Sequence, residues 1–380
     1  MNNNLNCRNL FNYLIDTFIC KPKDLDNVKV DSNLSQNCNW TIEFLESKSK
    51  IFIKQIPHFK DLSVDNKIYK EWCIYDFLES ANFLPHTSSL SPKIIHFDKK
   101  KSILIYKLTN DYIDLKNYYK HYKFSPQLIA EILGNTLAKL HFETIKSKEC
   151  FTFMNKFAKE RLHNHIPYSD YLINYLTPES LKKVPVQSWR FLGIFHKSEA
   201  IKNVVTELLI APRHYCLTHN NLEFKNILIS KEWKENKLIT ETKNSTQNCL
   251  KIINWEACSW GDPANDLGRI VTDYFIFWID SMLIDFTINI EQSIRLATIP
   301  FEVIGSSITA LMQAYVKTFP KILEDDSDFL RRVIQFAGLG LIYQLLEEFK
   351  FNPDVALEHQ NLYFYMALQL LCKPQKFVSI

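Results

Sequence analysis

The sequence predicts an α+β protein of two lobes, a small lobe built on an antiparallel sheet followed by a larger, mainly helical lobe. Short apolar segments at 40–55 and 93–106 are paired across polar turns, and the first of them alternates between apolar and polar residues, which is the pattern of antiparallel strands. From Pro126 onward, apolar residues recur at helical spacing instead. With 380 residues, the chain is long enough to bury a core in each lobe.

The small lobe contains two predicted strand pairs with one helix between them. An amphipathic helix around residues 10–18 comes first and ends before Pro22, which cannot continue it. The predicted strands lie at 40–45, 51–55, 93–97 and 102–106, and the helix between the pairs lies at 65–80. In the larger lobe, the clearest helical segments lie at 128–141 and 199–209.

These elements suggest domain boundaries. We expect an N-terminal helical extension at 1–30, an N-lobe at 31–108, a hinge at 109–115 and a helical C-lobe at 116–380. The C-lobe would contain a hairpin at 217–256 that carries two polar loops.

Composition narrows the class of protein. The net charge of +3 is close to balance, so we expect no nucleic-acid partner. The nine cysteines show no metal-ligand spacing, which is typical of a chain in a reducing compartment. We find no signal-peptide pattern at the N-terminus and no apolar segment long enough to span a bilayer. We therefore expect a cytoplasmic protein with no membrane partner.

Two polar loops stand out because each adjoins a short apolar run. The first, LTHNNLEFKNILI, covers Leu217–Ile229, and the second, IINWEACSWGDPANDLG, covers Ile252–Gly268. Two short strands joined by a hairpin would bring both loops to one edge of a sheet. Polar side chains gathered at such an edge are typical of a phosphoryl-transfer site.

The order of these motifs resembles that of the aminoglycoside phosphotransferases and choline kinases, which share the two-lobed protein-kinase-like fold. The resemblance covers most of the chain, from about residue 33 to about residue 345. A strand lysine, Lys54, precedes a helix glutamate, Glu71, by 17 residues, and a helix ending in Leu-His follows at Leu133–His141. The loop from His219 to Asn226 and the helix start at Gly261–Leu267 complete the order.

The resemblance implies a role for each matching residue. Lys54 would contact the α- and β-phosphates of ATP or GTP, and Glu71 would form an ion pair with it. His219 would brace the loop, and Asn226 would be a ligand of Mg²⁺. Asp262 and Asp266 are expected to cap and anchor the helix after the second loop.

Two positions depart from the family's pattern. Where the family has the aspartate that accepts the substrate's hydroxyl proton, this chain has Asn221, whose amide cannot accept a proton at neutral pH. Where the family has the aspartate that holds Mg²⁺, this chain has Asn254. An amide oxygen can contact a metal, so Asn254 is a candidate ligand beside Asn226, but it brings no charge to an ion that prefers carboxylate and phosphate ligands.

Nearby glutamates offer substitutes. Glu256 follows Asn254 by two residues, and Glu223 follows Asn221 by two residues. Because residues two apart in an extended stretch face the same way, either carboxylate could hold a metal or accept a proton if the local geometry allows it.

Three functional hypotheses follow. The chain could be a pseudokinase that binds nucleotide weakly or without metal and acts through a protein partner. It could instead be an active ATP-dependent phosphotransferase that uses Glu256 or Glu223 on a hydroxyl of an unknown small molecule or peptide. It could also be a purely structural helical protein.

Overall fold

The computed structural model describes most of the chain, which forms two compact units. The first unit comprises Met1–Tyr122 and Phe224–Cys258, and the second comprises Lys123–Glu223 and Ser259–Ile380. The described residues are 5–6, 8–33, 38–56, 67–109, 111–121, 126–157, 189–210, 213, 215–233, 249–284, 287–351 and 357–378.

The strands of the first unit are β1 (Val28–Asn33), β2 (Cys38–Phe44), β3 (Ser49–Gln55), β4 (Lys93–Asp98), β5 (Ile103–Thr109), β6 (Tyr112–Asp114), β8 (Ile227–Ser230) and β9 (Leu250–Ile252). They form a five-stranded antiparallel sheet in the order β1-β2-β3-β5-β4 and a three-stranded antiparallel sheet in the order β6-β8-β9. The helices are α1 (Leu10–Asp16), α2 (Lys67–Ser80), α3 (Pro85–Ser89) and α4 (Leu115–His121).

Helix α1 packs against one face of the larger sheet. Its Leu10 and Leu14 are fully buried in one cluster with Trp40, Ile42 and strand residues of β3 and β5. The hydroxyl of Tyr13 lies 3.0 Å from Nε2 of His96 on β4. Residues assigned to an N-terminal extension therefore belong to the core of the first unit.

The second unit is mainly helical. Its helices are α5 (Pro126–Thr144), α6 (Lys148–Asn155), α7 (Trp189–Lys197), α8 (Glu199–Ile210), α9 (Pro263–Ile279), α10 (Ile290–Arg295), α11 (Phe301–Thr318), α12 (Lys321–Asp325), α13 (Phe329–Phe351) and α14 (Leu357–Cys372). A two-stranded antiparallel ribbon joins β7 (Cys216–Thr218) to β10 (Ser259–Gly261). The predicted division into a sheet-containing part and a helical part is confirmed.

The boundaries of the units differ from the predicted ones in one further place. Phe224–Cys258 belongs to the first unit, whereas the sequence suggested that the whole hairpin at 217–256 belongs to the C-lobe. The cause is the pairing of β8 with β6, in which Ile229 lies opposite Ile113. The tip of that hairpin, at 234–248, lies outside the described residues. Within the described residues, no helix is both long enough and apolar enough to span a membrane.

Close helix packing in the second unit depends on glycine. A Cβ added to Gly134 on α5 would lie 2.2 Å from the carbonyl oxygen of Leu311 on α11, so the two helix backbones would have to separate. We expect Gly134→Ala to lower the free energy of unfolding by about 1–3 kcal/mol, the usual cost of overpacking.

Gly305 provides the matched control for this prediction. It lies on α11, and a Cβ there would meet no atom within 4 Å. We expect Gly305→Ala to raise the free energy of unfolding by about 0.5–1 kcal/mol, because alanine restricts the unfolded chain more than glycine does. Urea unfolding of both variants checks the pair, and a loss of stability in Gly305→Ala would contradict the packing argument.

Candidate functional site

Lys54 forms a buried ion pair in the first unit. It is 4% exposed on β3, and its Nζ donates to Oε2 of Glu71 on α2 at 2.8 Å. Glu71 is fully buried and accepts a second hydrogen bond from the hydroxyl of Tyr75 at 3.2 Å. Burial and the charge of Glu71 raise the pKa of Tyr75 well above its usual value, so its hydroxyl stays a donor. A charge pair this deep in a protein must be well bonded to be tolerated.

Two residues of the second polar loop also contact Lys54. Glu256 forms an ion pair with its Nζ, and Oδ1 of Asn254 accepts from the same nitrogen at 3.4 Å. The backbone of Asn254 is left-handed, with φ of 64°, a conformation that asparagine tolerates better than most residues. The lysine therefore lies among two carboxylates and one amide.

Two of the candidate metal ligands, Asn226 and Asn254, form a hydrogen bond with each other. Nδ2 of Asn254 donates to Oδ1 of Asn226 at 2.7 Å, and the backbone N–H of Ile253 donates to the carbonyl oxygen of Asn226 at 3.0 Å. The amide oxygen that would face a metal thus accepts a hydrogen bond from the other amide.

These side chains do not fit a Mg²⁺ ion as they are arranged. Magnesium is usually held by one or two carboxylates together with substrate phosphates. Glu256 supplies one carboxylate, but that carboxylate is engaged by Lys54. Among the described residues, no group of three His, Cys, Asp or Glu side chains could hold a metal.

The first polar loop begins in the second unit, where a buried aspartate binds its backbone. Asp266 on α9 is fully buried, and its carboxylate accepts from the N–H of His219 at 2.8 Å and from the N–H of Asn220 at 2.7 Å. His141 at the end of α5 lies 3.3 Å from the same carboxylate. The carboxylate therefore holds the start of the loop in place.

Within the loop, His219 contacts the backbone of Asn221. Its Nδ1 accepts from the N–H of Asn221 at 3.2 Å, and the carbonyl oxygen of Asn221 accepts from the N–H of Glu223 at 2.9 Å. Asn220 has a left-handed backbone with φ of 61°, and its side chain bonds to Ser259 at 2.7 Å. The loop is thus a tight turn braced from inside.

Glu223 is engaged by a buried arginine. Oε1 of Glu223 accepts from Nη2 of Arg269 at 2.6 Å, and Arg269 is 4% exposed on α9. The carboxylate of Glu223 is therefore held by a charge-assisted hydrogen bond.

Three charged residues at the N-terminal end of α9 contact the first polar loop or a neighbouring helix. Asp262 caps the helix as predicted, accepting from the N–H of Ala264 at 2.9 Å, and it also pairs with the buried Arg332. The contact of Asp266 with the loop and that of Arg269 with Glu223 were not predicted. One signal was available, because residues 262, 266 and 269 recur at i, i+4 and i+7 on one helix face.

The predicted site residues fall into two groups. Lys54, Glu71, Asn226, Asn254 and Glu256 come together in the first unit. His219, Asn221 and Glu223 belong to the second unit.

A strand lysine paired with a helix glutamate is a feature of the protein-kinase-like phosphotransferase fold. Solved structures with this fold resemble the chain. An ethanolamine kinase of Plasmodium vivax has 14% sequence identity and a TM-score of 0.56, covering 98% of this chain and 91% of that one. A choline kinase of Cryptosporidium parvum Iowa II has 14% identity and a TM-score of 0.55, covering 96% of this chain and 98% of that one.

At this level of identity, the likeness concerns the fold. The predicted two-lobed, protein-kinase-like fold is confirmed, and with it the structural resemblance to choline kinases. No family profile matches the sequence, and no curated protein matches it at the sequence level.

Proposed function

We propose that this protein is a catalytically impaired kinase-like protein, a pseudokinase, which binds nucleotide weakly through Lys54 and acts by binding a partner. The observation that carries the proposal is the hydrogen bond between Asn254 and Asn226 at 2.7 Å. It engages the amide oxygen of Asn226, while the amide oxygen of Asn254 accepts from Lys54. The sequence supports the same conclusion at the base position, where Asn221 cannot accept a proton.

Charge explains why nucleotide binding would be weak. Lys54, Glu71 and Glu256 together carry a net charge of −1 when all three are ionised, so the lysine is already neutralised. Polyphosphate would compete with Glu256 for the lysine and would be repelled by both carboxylates. Without a firmly held Mg²⁺, little would offset that repulsion.

The missing base is a separate obstacle to turnover. A positioned base contributes about 10²- to 10⁴-fold to a rate. Glu223, the nearest replacement in sequence, accepts from Arg269 at 2.6 Å, so its carboxylate is already bonded to a guanidinium. The loop would therefore lack a group suited to taking the proton of a substrate hydroxyl.

A second candidate function has one observation in its favour. Glu256 contacts Lys54 and therefore lies beside the position of the missing aspartate. If Mg²⁺ bound with nucleotide draws Glu256 from the lysine, the chain would be an active ATP-dependent phosphotransferase on a small-molecule or peptide hydroxyl.

Calorimetry and ATP consumption separate the two candidates. We expect weak ATP and GTP binding that Mg²⁺ changes little, and no consumption of ATP above background with a panel of hydroxyl-bearing small molecules and peptides. Lys54→Met should abolish the binding. Binding that strengthens more than tenfold with Mg²⁺, together with turnover that Glu256→Gln or Glu223→Gln removes, would overturn the pseudokinase proposal in favour of the active enzyme.

A gain-of-function variant tests the reason for the impairment. We expect Asn221→Asp combined with Asn254→Asp to strengthen Mg²⁺-dependent ATP binding and to raise ATP consumption by about 10²-fold or more, since a base and a charged metal ligand return together. Asn82→Asp, at an exposed turn position of the first unit, adds one negative charge outside the cluster around Lys54 and should have no effect. Absence of any gain in the double variant would mean that the two asparagines do not limit the activity.

A further inference from the structure

The second unit contains a pocket that none of the residues discussed so far explains. Its volume is about 300 Å³, enough for a small organic molecule. It lies where the end of α5 and the start of α6 meet the ribbon of β7 and β10. The residues that line it are Ile145, Lys146, Ser147, Lys148, Phe151, Arg213, Tyr215 and Trp260.

Three of the eight residues that line the pocket are aromatic. Trp260 on β10 is nearly buried and packs edge-to-face on Phe151 of α6, with ring centroids 6.0 Å apart. Phe151 and Tyr215 are 38% and 37% exposed. Large apolar side chains left open around a concave site are typical of ligand pockets, because a bound apolar group would cover them.

The rim of the pocket is positively charged. Lys146 and Lys148 are both exposed, and neither forms an ion pair within the part of the chain that the structure describes. Arg213 also lines the pocket, but Asp326, Asp328 and Glu207 balance its charge. The carboxylate of Glu149 accepts from the hydroxyl of Ser147 at 3.1 Å, so one acidic group offsets part of the lysine charge. A positive surplus remains on the side of the lysines.

The start of α6 adds to this charge. Ser147 caps the helix by accepting from the N–H of Cys150 at 3.2 Å. The N–H groups of Lys148 and Glu149 lie in the first turn, where no intrahelical acceptor exists. Together with the partial positive charge of a helix start, they favour an anion beside the two lysines.

We propose that this pocket binds an organic anion whose apolar, aromatic body stacks on Trp260, Phe151 and Tyr215 while its phosphate or carboxylate lies between Lys146 and Lys148. The proposal goes beyond the pseudokinase assignment, because all of its residues lie in the second unit and Lys54 lies in the first. Trp260 lies opposite Leu217 in the ribbon, two residues before His219, so the ligand would contact the strands that support the polar loop.

The test uses naphthyl phosphate as probe on the full chain, by calorimetry and saturation-transfer NMR. We expect binding that weakens at least tenfold when naphthol, the uncharged analogue, replaces the phosphate. The double variant Lys146→Gln/Lys148→Gln should weaken naphthyl phosphate to the level of naphthol and leave naphthol itself unchanged. Phe151→Ala should weaken both probes.

A matched control shows whether the two pocket lysines or the overall charge of the protein cause the loss of binding. Lys139 and Lys317 are exposed lysines of the same unit outside the pocket, so Lys139→Gln/Lys317→Gln removes the same charge and should not change binding. Equal loss in both double variants, equal affinity for the two probes, or tighter binding of naphthyl phosphate in Glu256→Gln would overturn the proposal. Tighter binding in Glu256→Gln would place the probe at Lys54, where Glu256 competes with phosphate, whereas failure of ATP to bind at all would count against the proposed function alone.

Discussion

Replacing Asp266 with alanine is expected to lower the free energy of unfolding by about 3–5 kcal/mol, the usual cost of removing one partner from a buried charged network. The carboxylate is fully buried, accepts from the N–H groups of His219 and Asn220, and lies 3.3 Å from His141. Alanine would leave two buried N–H groups without an acceptor, and each such group costs about 1–3 kcal/mol. Urea unfolding measures the loss.

A conservative variant and a control make the result specific. Asp266→Asn keeps the size and one acceptor oxygen, so we expect a smaller loss of about 1–3 kcal/mol. Asp325→Ala, at an exposed position of the same unit, should change stability by less than about 0.5 kcal/mol. Hydrogen exchange at the amides of His219 and Asn220 should accelerate in both Asp266 variants. Unchanged protection there would show that the carboxylate does not hold the loop.

The elements that sequence reasoning found are those whose signals are local. Strand β2 alternates between apolar and polar residues, β3 carries the apolar run at 51–53, and the turn between them is polar. The start of α9 was recognisable because Asp262 followed by Pro263 is an N-cap followed by a first helical residue. Neither needs information from elsewhere in the chain.

The elements and contacts that could not be predicted from the sequence depend on residues far away along the chain. Strand β1 was missed because Lys29, Val30, Asp31 and Ser32 are all exposed, so it pairs at the sheet edge without an apolar alternation. The contact between Glu223 and Arg269 joins residues 46 positions apart. Both glutamates proposed as substitutes are engaged in the structure, Glu256 by Lys54 and Glu223 by Arg269, and these contacts could not be predicted from the sequence.

The same reasoning applies to Asn254 at the metal position and Asn221 at the base position. Their identity was visible in the sequence, and it suggested a loss of charge at the metal and base positions. That Asn254 donates to Asn226 became visible only in the structure, because 28 residues separate them. The loss of charge is therefore accompanied by a hydrogen bond that joins the two expected ligands.

Replacing Lys54 with methionine is expected to have the other large effect, a loss of about 3–5 kcal/mol in the free energy of unfolding. Methionine fills the space of the alkyl chain but leaves Glu71, which is fully buried, beside Glu256 with no positive charge between them. Two carboxylates near each other without a cation repel, and the buried one has lost its main partner. Urea unfolding measures the change.

Removing the carboxylates should recover most of that loss. In Lys54→Met/Glu71→Gln/Glu256→Gln no charge remains to be compensated, so we expect the triple variant to be more stable than Lys54→Met, because replacing a whole buried ion pair costs far less than breaking it. Lys50→Met is the matched control on the same strand and face, where the lysine lies opposite Glu43 and is half-buried. It should lose about 1 kcal/mol or less. If Lys54→Met loses no more unfolding free energy than Lys50→Met, the cluster around Lys54 does not stabilise the first unit. The proposed competition between Glu256 and nucleotide phosphate for this lysine would then have no structural basis.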